Sequence, residues 1–154
     1  MTYAEQASAI RPDHPNGTQA LALVTAAVGR AAEAVATAES VDTMVGATYM
    51  DRFLAGVALA LAHAQLGNGT AALEALDAVD AAIEATDDAA APVLVRLARA
   101  EALRALGDGL GADEALADAD RHADLLDMDP QPWQAAFRLV ACGDGCRSPA
   151  DAAT

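Results

Sequence analysis

Between residues 15 and 141 the apolar residues recur at spacings of three and four, and nowhere do four to eight residues alternate as a strand would. "PNGTQALALVTAAV" (15–28) opens on turn residues and predicts a helix with Thr18 as its N-cap. A second helical run extends from Arg30 to about Ser40 and is interrupted by "VDTMVG". A third covers about 47–66 and stops at "GNG". Thr70 is the expected cap of the next, which runs to about Thr86. "DDAAAP" then breaks the pattern, and Pro92 suits the first turn of a helix ending at Leu106. After "GDGLG" the spacing predicts helices over 112–127 and 133–141, separated by "DMDPQP". The expected class is all-α, and such short breaks make consecutive helices antiparallel neighbours.

The pattern repeats. Sliding the chain by 40 residues superposes 57–88 on 97–128 and matches Leu66 with Leu106, Gly67 with Gly107, Gly69 with Gly109, Glu74 with Glu114, Leu76 with Leu116 and Asp80 with Asp120. An earlier, looser copy is "VGRAAEAV" at 28–35. A period in this range marks stacked helical pairs. In each copy Gly ends one helix and turns the chain, Ala lets the next helix pack close, and Leu or Val fills the seam.

These features resemble the tetratricopeptide repeat family. "AEQASAIRPDHP" (4–15) is similar to the end of such a unit, with Pro12 at its terminal proline. Gly29 and Ala34 then fall at the family's turn and small-residue positions, and Gly56 matches its small position in the first helix. Arg96 departs from that position, and the family's bulky first-helix residues are mostly Thr, Ala or Leu here. The resemblance implies a right-handed stack of antiparallel helix hairpins with units 15–48, 49–88 and 89–128 and a capping helix at 130–141, followed by a flexible tail at 142–154. The chain begins in the second helix of a unit, as would a fragment of a longer array or an array whose first unit has eroded. The resemblance also implies a concave face lined by first helices (15–28, 49–66, 92–106, 133–141) that binds proteins or peptides.

Composition narrows the function. Hydrophobic residues make up 54% of the chain but aromatics only 3%, and 43 of the 154 residues are Ala. The core is therefore built from small residues on closely approaching helices. Net charge is −14, and all nine basic residues are Arg. Nucleic acid and anionic membrane are poor partners for such a surface. The N-terminus lacks the basic and apolar regions of a signal peptide, and the longest apolar run, Phe53–Ala62, is too short to span a bilayer. A soluble bacterial cytoplasmic protein is expected.

Five of the nine Arg residues (Arg52, Arg96, Arg99, Arg104 and Arg138) fall on first helices, whereas acids such as Asp77, Asp80, Glu84, Asp87, Asp118, Asp120, Asp124 and Asp127 fall on second helices. One reading is an Arg-bearing groove that takes an acidic segment or a chain-terminal carboxylate. The other is that these Arg residues pair with neighbouring acids such as Glu101. Tyr49 joins the candidate partner-binding residues; Phe53 is expected in the core and Trp133 at a capping contact. Asp118 and His122, four residues apart, are too few ligands for a metal site. Cys142 and Cys146 are expected as free thiols in a mobile tail, with a small disulfide or a soft metal as alternatives. No Gly-rich loop follows a strand, and no nucleophile stands beside a base, so neither catalysis nor a cofactor is expected. The expected role is a scaffold for a protein or peptide partner. A ligand- or peptide-sensing domain and a self-associating module, giving a homodimer, are the alternatives. An enclosed apolar pocket rimmed by Arg would favour sensing.

Overall fold

The computed structural model describes Gln6 and residues 14–143. Among them are seven helices of eleven or more residues and no strand: α1 (Pro15–Ala27), α2 (Ala31–Val41), α3 (Tyr49–Gln65), α4 (Gly69–Ile83), α5 (Ala91–Ala105), α6 (Gly109–Leu125) and α7 (Gln131–Cys142). The chain is all-α, as the periodicity predicts. No described helix is long and apolar enough to cross a membrane.

Three turns are built alike. Gly29, Gly67 and Gly107 adopt left-handed φ of 79°, 72° and 84°. At each, the glycine N–H donates three residues back (to Ala26, Ala64 and Arg104) and the following N–H donates five back (to Thr25, His63 and Leu103). This double bond to the last turn satisfies carbonyls that the helix end leaves open, and glycine reaches the left-handed region without a Cβ penalty. The end of α6 repeats the motif with Asp127 at φ 51°.

Helix starts use other devices. Thr48 and Asp51 form a reciprocal capping box on α3. Forty residues later Asp88 accepts from the N–H groups of Ala90 and Ala91 at the start of α5. Two expected caps are corrected. Thr18 lies inside α1, whose N-cap is His14, and its hydroxyl donates to the His14 carbonyl. Thr70 lies inside α4, whose N-cap is Asn68. "GDGLG" is not a full break either: Asp108 caps α6 by accepting from Gly111 N–H, so Gly109–Gly111 are already helical.

Packing sorts the helices into two kinds. α3 and α5 are buried over much of their circumference, with Phe53, Val57 and Leu61 of α3 and Val93, Val95 and Leu97 of α5 almost solvent-free. α2 and α4 bury a single stripe: Ala31, Ala34, Ala38 and Val41, then Ala72, Leu76, Val79 and Ile83. That spacing is the one-sided pattern of a helix facing solvent on its other side. Consecutive helices α1 and α2, α3 and α4, and α5 and α6 pack closely on one another. α7 packs on α5, α3 and α1. Trp133, expected at a capping contact, is 42% exposed and rests its ring 6.1 Å from Phe137. Phe53 is in the core as expected.

The stretch 4–13, apart from Gln6, and the tail beyond residue 143 lie outside the described residues, as does Cys146. Cys142 is disulfide-bonded, which corrects the expectation of free thiols.

Candidate functional site

The six candidate residues divide sharply. Arg96 and Arg99 of α5 do not meet in a common groove, because each turns toward an outer helix. Arg96 pairs with Asp118 of α6 and donates back to the Pro92 carbonyl at 2.8 Å. Arg99 reaches Asp77 and Asp80 of α4 at 2.7 and 3.0 Å. Burial opposes the Arg99 charge, but the two carboxylates outweigh it and raise its pKa. The Arg96 hydrogen bond, against a smaller effect of burial, holds the Asp118 carboxyl below the ordinary carboxylate value, with Arg121 and His122 adding to it. Asp77 and Asp80 of the second-helix acids are thus ion-pair acceptors, and Asp118 is committed to arginines. Among the described residues no group of three or more His, Cys, Asp or Glu could hold a metal.

Arg104 and Arg138 do converge, on Glu101. This carboxylate is only 2% exposed and accepts from Arg104 at 2.6 Å, Arg138 at 3.3 and 3.4 Å, and Gln134 at 3.4 Å. Two of its three donor residues come from α7. Their role is to seat α7 on α5.

Arg52 and Tyr49 are placed differently. Both line a cavity of about 400 Å³ over the first half of α3 and the second half of α4. Arg52, Phe53, Gly56 and Leu59 supply the α3 wall and Ala75, Ala78, Val79 and Ala82 the α4 wall; Asp42, just after α2, also lines it. On both helices these positions are spaced by three and four, so each wall is one helix face. Ala78, Ala82 and Arg52 are exposed, which leaves the cavity open to solvent on one side. At Gly56 a Cβ would collide with Val79 Cγ2, so the absent side chain is what lets α4 lie against α3.

Tyr49 contributes its ring, tilted against Phe53 at 6.1 Å. Its hydroxyl is buried without a partner at hydrogen-bonding geometry, and Thr86 and Asp88 are its polar neighbours. Burial above all raises the phenol pKa. Arg52 has no ion pair or side-chain hydrogen bond among the described residues. By contrast, Arg30, Arg96, Arg99, Arg104, Arg121 and Arg138 each have a carboxylate partner.

The 40-residue offset explains the cavity. Gly56, Leu59, Ala78 and Ala82 correspond to Arg96, Arg99, Asp118 and His122. In the α5–α6 pair this surface is filled by the Arg96–Asp118 contact, with His122 Nδ1 2.8 Å from the Asp118 carbonyl. In α3–α4 the same positions carry a hydrogen, an isobutyl group and two methyl groups. The pocket-lining Gly56, Leu59, Ala78 and Ala82 were not singled out as binding residues from sequence; the offset comparison is the signal that points to them.

Comparison with protein-family models, with curated proteins and with solved structures found no match.

Proposed function

We propose that this chain is a non-catalytic recognition module built as a tetratricopeptide-like stack of three helix hairpins, whose ligand enters the α3–α4 pocket. The observation that carries this reading is the pocket itself: an apolar recess with a single unpaired guanidinium at its rim, at the place where the following pair of helices closes the same surface with its own ion pair. Its volume of about 400 Å³ falls within the ~300–1,000 Å³ range of small-molecule sites, which are mostly apolar with a few placed polar groups. Of the roles weighed from sequence, the apolar lining and the rim Arg support ligand sensing, although the pocket is open on one side and not enclosed. The reading of an Arg groove on the first helices is less supported, because Arg96, Arg99, Arg104 and Arg138 already have acids of this chain.

The scaffold role has its own support. Leu125, Leu126 and Trp133 flank the α6–α7 connection at 84%, 41% and 42% exposure, and Leu139 of α7 is 60% exposed. Exposed apolar groups of this size suit a protein contact, with a partner or a second copy.

A thermal-shift screen of small molecules and short peptides against the whole chain tests the first reading. An Ala78→Leu variant, which fills the pocket from an exposed helix position, is screened in parallel after circular dichroism has shown that it folds. Ligands that raise the melting temperature of the wild type alone support the pocket. Ligands that stabilise both proteins equally, or no ligand at all, sink it.

A further inference from the structure

We propose that the α3–α4 pocket selects small apolar monocarboxylates, the apolar body lying against Gly56, Leu59, Ala78 and Ala82 and the carboxylate on Arg52. This rests on the reading that the pocket is the recognition site.

Charge is the first ground. The chain carries 23 acidic residues against nine Arg, and the other described Arg residues have all found a carboxylate. An unpaired guanidinium at the rim of an apolar recess is complementary to an anion, and its planar fork matches a carboxylate in bidentate fashion. Asp42, which also lines the pocket, narrows the choice. It repels a second negative group, which disfavours dicarboxylates and phosphates, and Arg52 repels a cation. One negative charge on an apolar body satisfies both.

The second ground is the repeat. Arg96 folds its guanidinium back one turn, to the carbonyl of Pro92, and Pro92 is the 40-residue counterpart of Arg52. Each helix pair thus carries an Arg on its first helix beside this surface. In α5–α6 its carboxylate comes from Asp118. In α3–α4 the counterpart of Asp118 is Ala78, so the chain places no carboxylate at that position. The small side chains that replace the ion pair leave room for the body that carries it.

The test uses the whole chain labelled with nitrogen-15, titrated with octanoate, 3-phenylpropanoate and the neutral octanamide. Shift changes are expected at the amides of Arg52, Gly56, Leu59, Ala78 and Ala82. Octanoate should bind at least about tenfold more tightly than octanamide, a difference of ~1.4 kcal/mol. Arg52→Gln, at an exposed position, should abolish that preference, and Ala78→Leu should abolish binding of both the acid and the amide. Equal affinity for acid and amide, or a preference that survives Arg52→Gln, overturns the carboxylate assignment. So does the absence of binding by both acids. If neutral or cationic compounds then emerge from the screen as pocket ligands, the recognition reading stands and only the ligand class falls. Shift changes confined to other helices remove both.

Discussion

Gln65 is the last residue of α3, and its side-chain amide ties three helices together. Nε2 donates to the carbonyl of Ala26 in α1 at 2.8 Å and to that of Val140 in α7. The end of α7 closes over it so tightly that a Cβ on Gly143 would fall 2.7 Å from Gln65 Oε1 and 2.9 Å from the Cα of Gly29. Gln65→Leu keeps most of the volume and removes the donor. Ala26 O keeps a bond from the Gly29 N–H at 2.9 Å, so at Ala26 the loss is the amide bond itself. At ~0.5–1.5 kcal/mol net for each bond, the cost is about 1–3 kcal/mol. For a chain of this size that corresponds to a melting temperature lower by roughly 3–9 °C. Scanning calorimetry measures the fall, and hydrogen exchange shows where it acts: amides of α7 should lose protection before those of α3 and α5. Gln65→Glu provides a sign check. A carboxylate facing two carbonyl oxygens has its folded pKa raised, so its deficit is largest at neutral pH and shrinks as pH falls through that raised value, when the acid proton can donate. A Gln65→Leu melting temperature within about 1 °C of wild type, with exchange in α7 unchanged, would refute the claim that this amide holds α7 in place.

Asp118 governs part of the acid stability. Its folded pKa is depressed, chiefly by the Arg96 hydrogen bond, so its contribution is complete above the ordinary value of 3.8 and is lost as pH falls through the lower folded value. Asp118→Asn should cost about 0.5–1 kcal/mol at pH 7, because water screens a pair this exposed, and urea midpoints should fall less steeply below pH 4 than in the wild type. The turns predict opposite signs for two substitutions. Gly107→Ala forces a Cβ into φ 84° and should destabilise by about 1 kcal/mol, whereas Asp127→Gly relieves a non-glycine residue at φ 51° and should stabilise by up to about 1 kcal/mol. Chemical denaturation of the two variants side by side checks both.

The turns were legible because their physics is local. A left-handed residue after a helix favours Gly, Asp127 being the exception, so Gly29, Gly67 and Gly107 announce three helix ends and the repeat with them. Helix starts were less legible. Thr18 and Thr70 look like caps by residue type, but a hydroxyl can equally donate back to a carbonyl one turn earlier, as Thr18 does. The directions of the arginines were not legible from helix membership alone. α5 buries its apolar residues on most sides, which pushes Arg96 and Arg99 to its edges, toward α6 and α4, instead of onto one shared face. The pocket is harder still, since it consists of missing side chains. The 40-residue alignment contains the decisive pairs, Gly56 with Arg96 and Ala78 with Asp118, but only a register in space shows that these two absences adjoin one another.

That register also explains why the pocket does not collapse. At the contact beneath it, Gly56 of α3 faces Val79 of α4; forty residues later the same positions are Arg96 and Ala119. One pair of helices puts the small residue on the first helix and the larger on the second, and the other reverses them. Each arrangement lets the helices approach, and close packing leaves little tolerance for two large residues or two small ones at one contact. In α5–α6 the larger residue is Arg, whose charged end must extend outward to Asp118, and so it covers the surface. In α3–α4 the larger residue is Val79, which turns inward and is 6% exposed, so nothing reaches out. The outer surface is left to Ala78 and Ala82, whose methyl groups are too short to fill it. The helix–helix contact is thus preserved while the surface above it opens, and Gly56→Ala should force Val79 to move, which a shift of the Val79 methyl resonances would register.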